Sequence, residues 1–363
     1  MKTYKNLHER ICAFENLYSA FMKARRGKRK RPNVAAFEFN LENELIALRE
    51  QLQNGTYRPG RYTHFTIYDA KPRRISAAPF RDRVVHHALV NVIDPIWERR
   101  FIHDSYACRV GRGTHAALDR ATQFARQHPY VLQCDVEKFF PAIDHAILMQ
   151  LLRKRIADKH TLSLCQTILD SGRNIHEAAW EMQWFPNDDL LAAGRPRGLP
   201  IGNQTSQFWG NVYLHELDKF VKHHLHCRPY LRYADDILLF ASSKAQLHIW
   251  YTAIVTFLYT LRMQIPPRKR RVAPVTAGFP FLGFVIYPSH RRLQRRSGVA
   301  FARRFRGKVA AYERGTLPLT RLTGSVNGWI GHAQHGDTYG LRKAILTKQV
   351  IHGPRARSKT TSK

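Results

Sequence analysis

The stretch Tyr230-Leu-Arg-Tyr-Ala-Asp-Asp-Ile-Leu-Leu-Phe240 places two adjacent acids between apolar, strand-forming residues. Residues 230–233 and 237–240 have the pattern of two short strands, and Ala234-Asp235-Asp236 that of the turn between them. Two neighbouring carboxylates at a hairpin tip beside a buried sheet suit a divalent cation. The alternative is a solvated turn that happens to be acidic, because Asp is a common turn residue. Other segments of the chain must distinguish the two.

The amino-acid composition and net charge indicate a nucleic-acid partner. The chain has 363 residues, 44% hydrophobic and 24% charged, which is enough to bury the cores of about one to three compact units. Lysine and arginine number 59 against 27 acids, giving a net charge of +32 that is spread along the whole length. A chain this basic repels itself unless it meets a polyanion. A nucleic acid is therefore the expected partner, and a membrane surface is the weaker alternative.

The sequence lacks targeting segments and metal-binding motifs of the usual kinds. No run of about 18 apolar residues occurs, and the N-terminus leads into no signal-type apolar core. We therefore expect no membrane partner and a cytoplasmic location. Five well-separated cysteines without a Cys-x-x-Cys pair indicate reduced core residues rather than disulfides or a zinc site. The histidine pairs His86-His87 and His223-His224 also lack the spacing of a metal motif.

Hydrophobic periodicity predicts a chain that is mainly helical, with short strands. The predicted helices cover residues 7–23, 41–52, 81–97, 162–169, 205–225 and 245–261, with further helices after residue 291. Residues 57–68 alternate as extended structure, and Asp144 is the expected N-cap of another helix. Residues 172–197 break the pattern and indicate a long loop. Asp188 and Asp189 in this loop are expected to be solvated, because no strand brackets them.

A basic run, Lys23-Ala-Arg-Arg-Gly-Lys-Arg-Lys-Arg-Pro32, follows the first predicted helix. It is either an ordinary solvated block of charge or a segment that lies along phosphates. The overall charge favours phosphates. The residues predicted to bind RNA are Arg25, Arg26, Lys28, Arg29, Lys30 and Arg31.

A third acid accompanies the hairpin. In Cys134-Asp-Val-Glu-Lys-Phe-Phe-Pro-Ala-Ile-Asp144, Asp135 ends a short apolar strand. If this strand lies beside the hairpin, Asp135, Asp235 and Asp236 converge on one spot. Three carboxylates there would hold two Mg²⁺ ions about 4 Å apart, one activating a 3′-hydroxyl and one steadying the leaving pyrophosphate. This is the chemistry of nucleotide addition.

A turn rich in Gly and Pro, Arg197-Gly-Leu-Pro-Ile-Gly-Asn-Gln-Thr-Ser-Gln207, lies between the two acidic segments and opens into a helix. Glycine imposes no Cβ, so the backbone of such a turn can approach a base pair or phosphate closely. With this order of acid strand, Gly-Pro turn and Tyr-x-Asp-Asp hairpin, the chain resembles a reverse transcriptase from about residue 40 to 345. Residues 71–83 and 105–115 look like the fingers, and residues 328–334 like a thumb element.

The resemblance implies an α+β, right-hand polymerase fold with fingers, a palm of antiparallel sheet plus helices, and a helical thumb. The expected domains are a basic N-terminal helical extension (1–40), fingers (41–130), palm with inserted segments (131–290), thumb (291–348) and a basic disordered tail (349–363).

The resemblance also assigns roles to residues. Asp135, Asp235 and Asp236 would be the catalytic and metal-binding acids, and the backbone carbonyl of Val136 a further ligand, with Mn²⁺ as a substitute for Mg²⁺. Phe140 would stack under the sugar of the incoming nucleotide and exclude a 2′-hydroxyl, unless it is only a core aromatic. The residues expected to bind the deoxynucleotide are Lys71, Arg74 (with Arg73 as an equal rival), Phe140, Ile201, Gly202, Gln207 and Lys269.

The motif after Leu199-Pro200 suggests a subclass. Group II intron and retroviral enzymes usually carry Gln-Gly there and end the motif Ser-Pro, whereas this chain has Ile201-Gly202 and Ser206-Gln207. That pattern is similar to the reverse transcriptases of diversity-generating retroelements, within the group II intron-like superfamily. Such an enzyme copies a template-repeat RNA into cDNA with errors at template adenines, for mutagenic retrohoming. Because Ile201 offers only apolar contact where others carry an amide, we expect it to contribute to low fidelity, with a neutral packing role as the alternative.

The implied partners are a structured template RNA, the cDNA/RNA duplex and a small basic accessory variability protein that forms a pentamer, in a prokaryotic cell or encoded by a phage. Two other interpretations remain. The first is another compact prokaryotic reverse transcriptase of the retron, group II intron or phage-defence kind. The second is a non-catalytic RNA-binding scaffold, which the presence of all three acids disfavours.

Overall fold

A computed structural model describes residues 2–68, 72–177, 180–186 and 188–353. The helices are α1 (Leu7–Cys12), α2 (Phe14–Arg25), α3 (Pro32–Phe39), α4 (Leu41–Gln53), α5 (Phe80–Glu98), α6 (Thr114–Gln127), α7 (Phe139–Ala142), α8 (His145–Arg153), α9 (Lys159–Ser171), α10 (Gln204–Lys219), α11 (Lys244–Thr260), α12 (Arg295–Glu313), α13 (Leu319–Ala333) and α14 (Tyr339–Leu346). The strands are β1 (Thr63–Tyr68), β2 (Pro72–Ala77), β3 (Tyr130–Asp135), β4 (Tyr230–Tyr233), β5 (Asp236–Ala241), β6 (Arg270–Pro274), β7 (Phe279–Phe281), β8 (Phe284–Ile286) and β9 (Arg291–Leu293).

Most predicted elements are confirmed with bounds that shift by a few residues, and two differ more. The helix predicted over residues 7–23 is two helices, because the backbone of Ala13 is extended, with φ −57° and ψ 135°. The amide of Asn16 donates to the carbonyl of Ile11 at this break (3.0 Å). The extended segment 57–68 becomes a strand only at Thr63. Before it, the side chain of Asp82 accepts hydrogen bonds from the Tyr57 hydroxyl (2.9 Å) and the Gly60 amide (2.8 Å).

A four-stranded sheet carries the two acidic segments. Its strand order is β4-β5-β3-β6, so the strand that ends in Asp135 lies next to the second strand of the hairpin. Strands β4 and β5 are antiparallel, with Tyr230 opposite Leu239 and Tyr233 opposite Asp236. Every residue of β5 after Asp236 is buried. A strand buried along its whole length reads as a continuous apolar run, as residues 237–241 do.

Contacts divide the chain into two compact units. The first consists of Met1–Gly113, Gln133–Leu239 and His248–Arg271, and it contains the three predicted catalytic acids. Helix α5 forms its centre, because both α2 and α10 pack against it. Aromatic rings fill these contacts: Phe21 and Phe37 lie around Phe80, and Trp97 meets Phe208 edge-on at 5.6 Å. The predicted domain boundaries stay predictions.

The second unit consists of Thr114–Leu132, Phe240–Leu247 and Val272–Lys363. Strands β7, β8 and β9 form an antiparallel sheet, and α6 packs against β8. Helices α12 and α13 pack together through the rings of Phe301 and Trp329, which stack at 3.9 Å. Residues 328–333 of the predicted thumb element lie on α13.

None of the described helices combines the length and apolar character needed to cross a bilayer. All five cysteines are free, and four are buried as predicted. Cys108 is exposed instead, because it lies in the irregular segment before α6 and not on a packed face.

Candidate active site

The three predicted catalytic acids lie on neighbouring strands. Asp135 is the last residue of β3, Asp236 is the first residue of β5, and Asp235 lies in the two-residue turn after β4. The backbone joins them, because the amide of Val136 donates to the carbonyl of Asp235 at 3.4 Å. The fold therefore brings Asp135, Asp235 and Asp236 to one place, as the sequence predicts.

These carboxyl groups destabilise one another's charged forms. Burial raises the pKa of Asp235 to about 7, and the neighbouring charges of Asp135 and Asp236 add to the rise. Burial and the charge of Asp135 also raise the pKa of Asp236, to about 6. Like charges held close together in a poorly solvated place disfavour ionisation. The three aspartates therefore lack enough nearby positive charge to stabilise their ionised forms.

Lys269 supplies one positive charge. Its ammonium group lies 2.8 Å from Oδ2 of Asp135, donates to the carbonyl of Val136 at 3.2 Å and lies 3.5 Å from Oε2 of Glu137. Two of these three oxygens, Oδ2 of Asp135 and the carbonyl of Val136, belong to the groups that the resemblance assigns to a metal ion. Lys269 therefore neutralises Asp135 here, and its predicted binding of the deoxynucleotide stays a prediction.

The oxygens at this place suit a hard cation. A lysine ammonium already contacts Asp135 and Val136, and Oδ1 of Asp135 is buried without a hydrogen bond from the described residues. Carboxylate and carbonyl oxygens are the ligands that Mg²⁺ prefers. Across residues 2–68, 72–177, 180–186 and 188–353, however, no three His, Cys, Asp or Glu side chains form a finished metal-binding group. The chemistry of the donors fits Mg²⁺, but their side chains are not in ligating positions.

A buried arginine that was not predicted supports the hairpin. Arg232 on β4 and Asp218 on α10 have fully buried side chains and form a two-pronged ion pair, Nε to Oδ1 at 2.8 Å and Nη2 to Oδ2 at 2.7 Å. Nη1 of Arg232 also donates to the carbonyl of Ala234, next to the catalytic acids, at 2.9 Å. A charged residue inside an otherwise apolar strand was the available clue, since such residues are rarely buried without a partner.

The predicted sugar-contacting residue lies beside a buried aromatic ring. Phe140 is half-buried, whereas its neighbour Phe139 is buried and fills the core role. A Cβ on Gly210 of α10 would lie 3.1 Å from the ring of Phe139, a crowded contact, and 3.5 Å from that of Phe140, an ordinary one. The absence of a side chain at Gly210 therefore makes room for Phe139, next to which the ring of Phe140 stays half-exposed.

The Gly-Pro turn packs on strand β2. The amide of Ser76 donates to the carbonyl of Ile201 at 3.1 Å. Gly202 has φ +118°, and a Cβ there would lie 3.1 Å from Cγ2 of Ile75. Gln207 is exposed on the first turns of α10. Ile201, Gly202 and Gln207 thus lie together where β2 meets the start of α10.

The two rival arginines of β2 have different neighbours. The charge of Arg73 lowers the pKa of Asp236, and the charge of Arg74 lowers the pKa of His176. Successive residues of a strand point to opposite faces. Arg73 is therefore the arginine on the side of the catalytic acids. Lys71, the third predicted triphosphate contact, lies outside the described residues.

The basic run forms the end of α2 and the turn before α3. Arg25 and Arg29 both pair with Glu38, the latter at 2.9 Å. Burial lowers the pKa of Lys28, and the charges of Arg83 and Arg31 add to this effect. The remaining cations of the predicted RNA-binding set are exposed, namely Arg26, Lys30 and Arg31.

The expectation that Asp188 is solvated is wrong. Its side chain is 1% exposed and forms an ion pair with Arg262, with Nη1 donating to Oδ2 at 3.0 Å. The hydrogen bonds from Arg262 lower the pKa of Asp188. Asp189 is exposed, and its Oδ1 accepts from the amide of Ala192 at 3.1 Å. The partner of Asp188 lies 74 residues further along the chain, so no local pattern indicated it.

Three comparisons place this site among known proteins. The model of the family described as reverse transcriptase (RNA-dependent DNA polymerase) matches residues 67–286, more than half of the chain. Protein YkfC of Escherichia coli (strain K12) is 25% identical over 306 residues, which cover 73% of this chain and 75% of that protein. The group II intron-encoded protein LtrA of Lactococcus lactis subsp. cremoris is 27% identical over 183 residues, which cover 50% of this chain and 28% of LtrA.

Among solved structures, telomerase from Candida albicans, in complex with a fragment of telomeric RNA, matches with a TM-score of 0.44 and 9% identity. The match covers 81% of this chain and 56% of the telomerase chain. The family match over residues 67–286 contains the acid strand, the Gly-Pro turn and the hairpin. The chain therefore belongs to the reverse transcriptase family, with its right-hand polymerase fold, and is an RNA-directed DNA polymerase.

Proposed function

We propose that this polymerase copies a template-repeat RNA into cDNA, with errors at template adenines, as the reverse transcriptase of a diversity-generating retroelement. The observation that carries the polymerase chemistry is the cluster of Asp135, Asp235 and Asp236 on adjacent strands, which holds more negative charge than Lys269 balances. The subclass rests on the Ile201-Gly202 and Ser206-Gln207 pattern.

Reverse transcriptase domains generally use divalent metal ions. In our proposal Asp135, Asp235, Asp236 and the carbonyl of Val136 hold two Mg²⁺ ions. Bound there, the ions would lower the pKa of the primer 3′-hydroxyl and stabilise the charge that develops on pyrophosphate. The aspartates must be ionised for this, and a bound cation offsets the mutual repulsion that raises the pKa of Asp235 and Asp236.

Other residues of the cluster select and orient the deoxynucleotide. Phe140 meets the sugar, and a ribose 2′-hydroxyl would collide with its half-exposed ring. Arg73, beside Asp236, binds the triphosphate, and Lys71 and Arg74 remain candidates for the same role. Lys269, which pairs with Asp135 here, would orient the departing pyrophosphate when Asp135 ligates a metal ion.

In our proposal, Ile201 contributes to the low fidelity of cDNA synthesis. Its carbonyl is held by the amide of Ser76, so the turn is fixed in place, while its side chain offers only apolar contact. A side chain without an amide group constrains the geometry of the nascent base pair less strictly. Gly202 and Gln207 flank it and complete this part of the nucleotide site.

The partners follow from the same proposal. A template RNA and the cDNA/RNA duplex bind the basic surface, including the exposed residues Arg26, Lys30 and Arg31. The small basic accessory protein, as a pentamer, and a cytoplasmic location in a prokaryotic cell belong to the retroelement assignment.

A second candidate is another compact prokaryotic reverse transcriptase of the group II intron-like kind. The similarity to the group II intron-encoded protein LtrA, across half of this chain, favours it. The two candidates share the active site and differ in fidelity and in the RNA that they copy.

The first experiment tests the chemistry. The purified protein, given a primed RNA template, deoxynucleotides and Mg²⁺, is expected to make cDNA. The double variant Asp235→Asn, Asp236→Asn should make none, whereas Asp189→Asn, the same change on an exposed aspartate, should match the wild type. If the double variant still makes cDNA, the assignment of these acids is wrong.

The second experiment tests the subclass. Sequencing of the cDNA should show errors concentrated at template adenines, and Ile201→Gln should reduce them. Errors spread evenly over the four template bases would favour the second candidate. An unchanged adenine error frequency in Ile201→Gln would leave only a packing role for Ile201.

A further inference from the structure

Arg232 is fully buried and uses all of its hydrogen-bonding capacity. A guanidinium group has five N–H donors. Here they reach Oδ1 and Oδ2 of Asp218 (2.8 and 2.7 Å), Oδ1 of Asn211 (3.2 Å), Oγ of Ser105 (3.0 Å) and the carbonyl of Ala234 (2.9 Å). Asn211 and Asp218 lie on α10, Ser105 lies in the segment between α5 and α6, and Ala234 belongs to the hairpin itself. One side chain therefore ties the catalytic hairpin to two other parts of the first compact unit.

The ion pair is itself held in place. The hydroxyl of Tyr230 donates to Oδ1 of Asp218 at 2.7 Å. The backbone of Arg232 is fixed as well, because its amide donates to the carbonyl of Asp104 and its carbonyl accepts from the amide of Tyr106, both at 2.9 Å. The guanidinium thus approaches Ala234 from a rigid position.

Ala234 is the point at which this rigidity reaches the catalytic acids. It is a non-glycine residue with φ +55°, a left-handed conformation that an alanine adopts only when its surroundings impose it. Its carbonyl accepts from Nη1 of Arg232, and the next two residues are Asp235 and Asp236. Rotation of this peptide would redirect both carboxylates.

We propose that Arg232 and Asp218 are positioning residues: together they fix the Ala234 carbonyl and thereby the direction of Asp235 and Asp236. This inference rests on the proposed polymerase function for its kinetic consequence, and on the structure alone for the geometry of the turn. A contribution to stability does not by itself explain the Arg232–Asp218 pair, because replacing a buried ion pair by apolar residues of similar volume is often neutral or stabilising.

The test removes both charges together, so that neither remains buried alone. The double variant Arg232→Met, Asp218→Leu is compared with the wild type by thermal unfolding, by amide hydrogen exchange of residues 234–237, and by steady-state cDNA synthesis. We expect a folded protein with faster exchange at these amides and a kcat lowered about 100-fold, the effect of misplacing a catalytic group by about 1 Å. The KM for deoxynucleotide should change little.

The control removes a different buried ion pair of the same unit. Arg262→Met, Asp188→Leu should leave both the exchange of residues 234–237 and kcat at wild-type values. A folded Arg232→Met, Asp218→Leu protein with wild-type exchange and wild-type kcat would overturn the proposal.

A conservative variant covers the case in which the double variant fails to fold. Arg232→Lys keeps the charge opposite Asp218 but has three donors in place of five, so it cannot serve Asp218, Asn211, Ser105 and Ala234 at once. Faster hairpin exchange and a lower kcat are again expected, and wild-type values of both would refute the idea. If the wild-type protein makes no cDNA, the proposed function fails while the exchange comparison still decides the positioning role.

Discussion

The ammonium group of Lys269 lies 2.8 Å from a carboxylate oxygen of Asp135 and so occupies a place that the proposed chemistry assigns to a metal ion. Removing this ammonium should make metal binding tighter. A single and a double positive charge 4 Å apart repel each other by about 2 kcal/mol in water, which corresponds to about 30-fold in a binding constant. We expect Lys269→Met to lower the half-saturating Mg²⁺ concentration by about this factor, measured by calorimetric titration, while kcat falls because pyrophosphate loses a cation.

Arg268→Met is the matched control for that change. Arg268 pairs with Glu137 at 3.0 Å and has a largely exposed side chain. Its removal lowers the local charge equally and takes away no contact to Asp135. If both variants shift Mg²⁺ binding alike, the effect is one of general charge and the displacement argument is wrong.

Phe140→Ala should weaken the discrimination between sugars. Without the ring, a ribose 2′-hydroxyl has room, and relative use of ribonucleotides should rise at least about 10-fold. The measurement is the ratio of kcat/KM for a ribonucleotide and its deoxynucleotide. Phe139→Ala serves as a control, because that buried ring should cost about 3 kcal/mol of stability without a specific change in the ratio.

Asp188 and Asp189 should respond very differently to mutation. Asp188→Ala leaves Arg262 partly buried with only the more distant carboxylate of Asp144, 3.8 Å from Nε, and we expect a loss of about 3 kcal/mol in the free energy of unfolding. Asp189→Ala removes only a capping hydrogen bond and should cost about 1 kcal/mol. Denaturant unfolding of the two single variants measures the difference, and equal costs would mean that the Asp188–Arg262 pair is not formed in solution.

The stability of the protein should fall in mild acid through His87. Burial and the charges of Lys23 and Lys28 lower the pKa of His87 to about 4, below the usual value of about 6.5. The unfolded chain then binds a proton between these two pH values that the folded chain does not, so stability decreases as pH falls from about 6.5 to 4. His87→Gln should recover about 1 kcal/mol at pH 5 relative to pH 7.5, after allowance for solvent screening. Unfolding curves at the two pH values test this, and an unchanged pH dependence would refute it.

RNA binding should depend steeply on salt, and the exposed cations should set part of that slope. Each phosphate contact contributes about 0.7 to 0.9 to the slope of log K against log salt. The triple variant Arg26→Gln, Lys30→Gln, Arg31→Gln should therefore reduce the slope by about 2. A triple variant with the wild-type slope would place the RNA elsewhere.

Arg25→Gln is the comparison for the salt experiment. Arg25 is paired with Glu38, so Arg25→Gln should lower the free energy of unfolding. Its effect on the slope of log K against log salt should be smaller than that of the triple variant. A larger change in slope for Arg25→Gln than for the triple variant would reverse the assignment of these residues.

The hairpin and its acids could be predicted because their pattern is local. Apolar flanks around Asp235 and Asp236 give the strands, and Asp135 ends an equally clear strand. The turn was predicted over residues 234–236, and it is one residue shorter because Asp236 pairs with Tyr233 as the first residue of β5. Most of the long helices were predictable for the same reason, whereas α3, α6 and α7 were not predicted. Asp144, for example, accepts from the amide of Ile147 at 3.0 Å as an N-cap should.

What the sequence did not reveal depends on partners far along the chain. Arg232 meets Ser105 across 127 positions, and Asp188 meets Arg262 across 74. No periodicity records such pairs. The break at Ala13 is similar, because a polar side chain from the next helix satisfies the open carbonyl and neither Gly nor Pro marks it.

The five hydrogen bonds of Arg232 also bear on how the protein matures. Ser105, Asn211, Asp218 and Ala234 are spread over 130 positions, so the hairpin gains its anchor only after all of these segments have docked. All of these residues precede Asp235 and Asp236 in the chain, so a growing chain that carries the two aspartates also carries every residue that fixes their turn. Competence for polymerisation would then depend on the docking of these earlier segments and not on the hairpin alone.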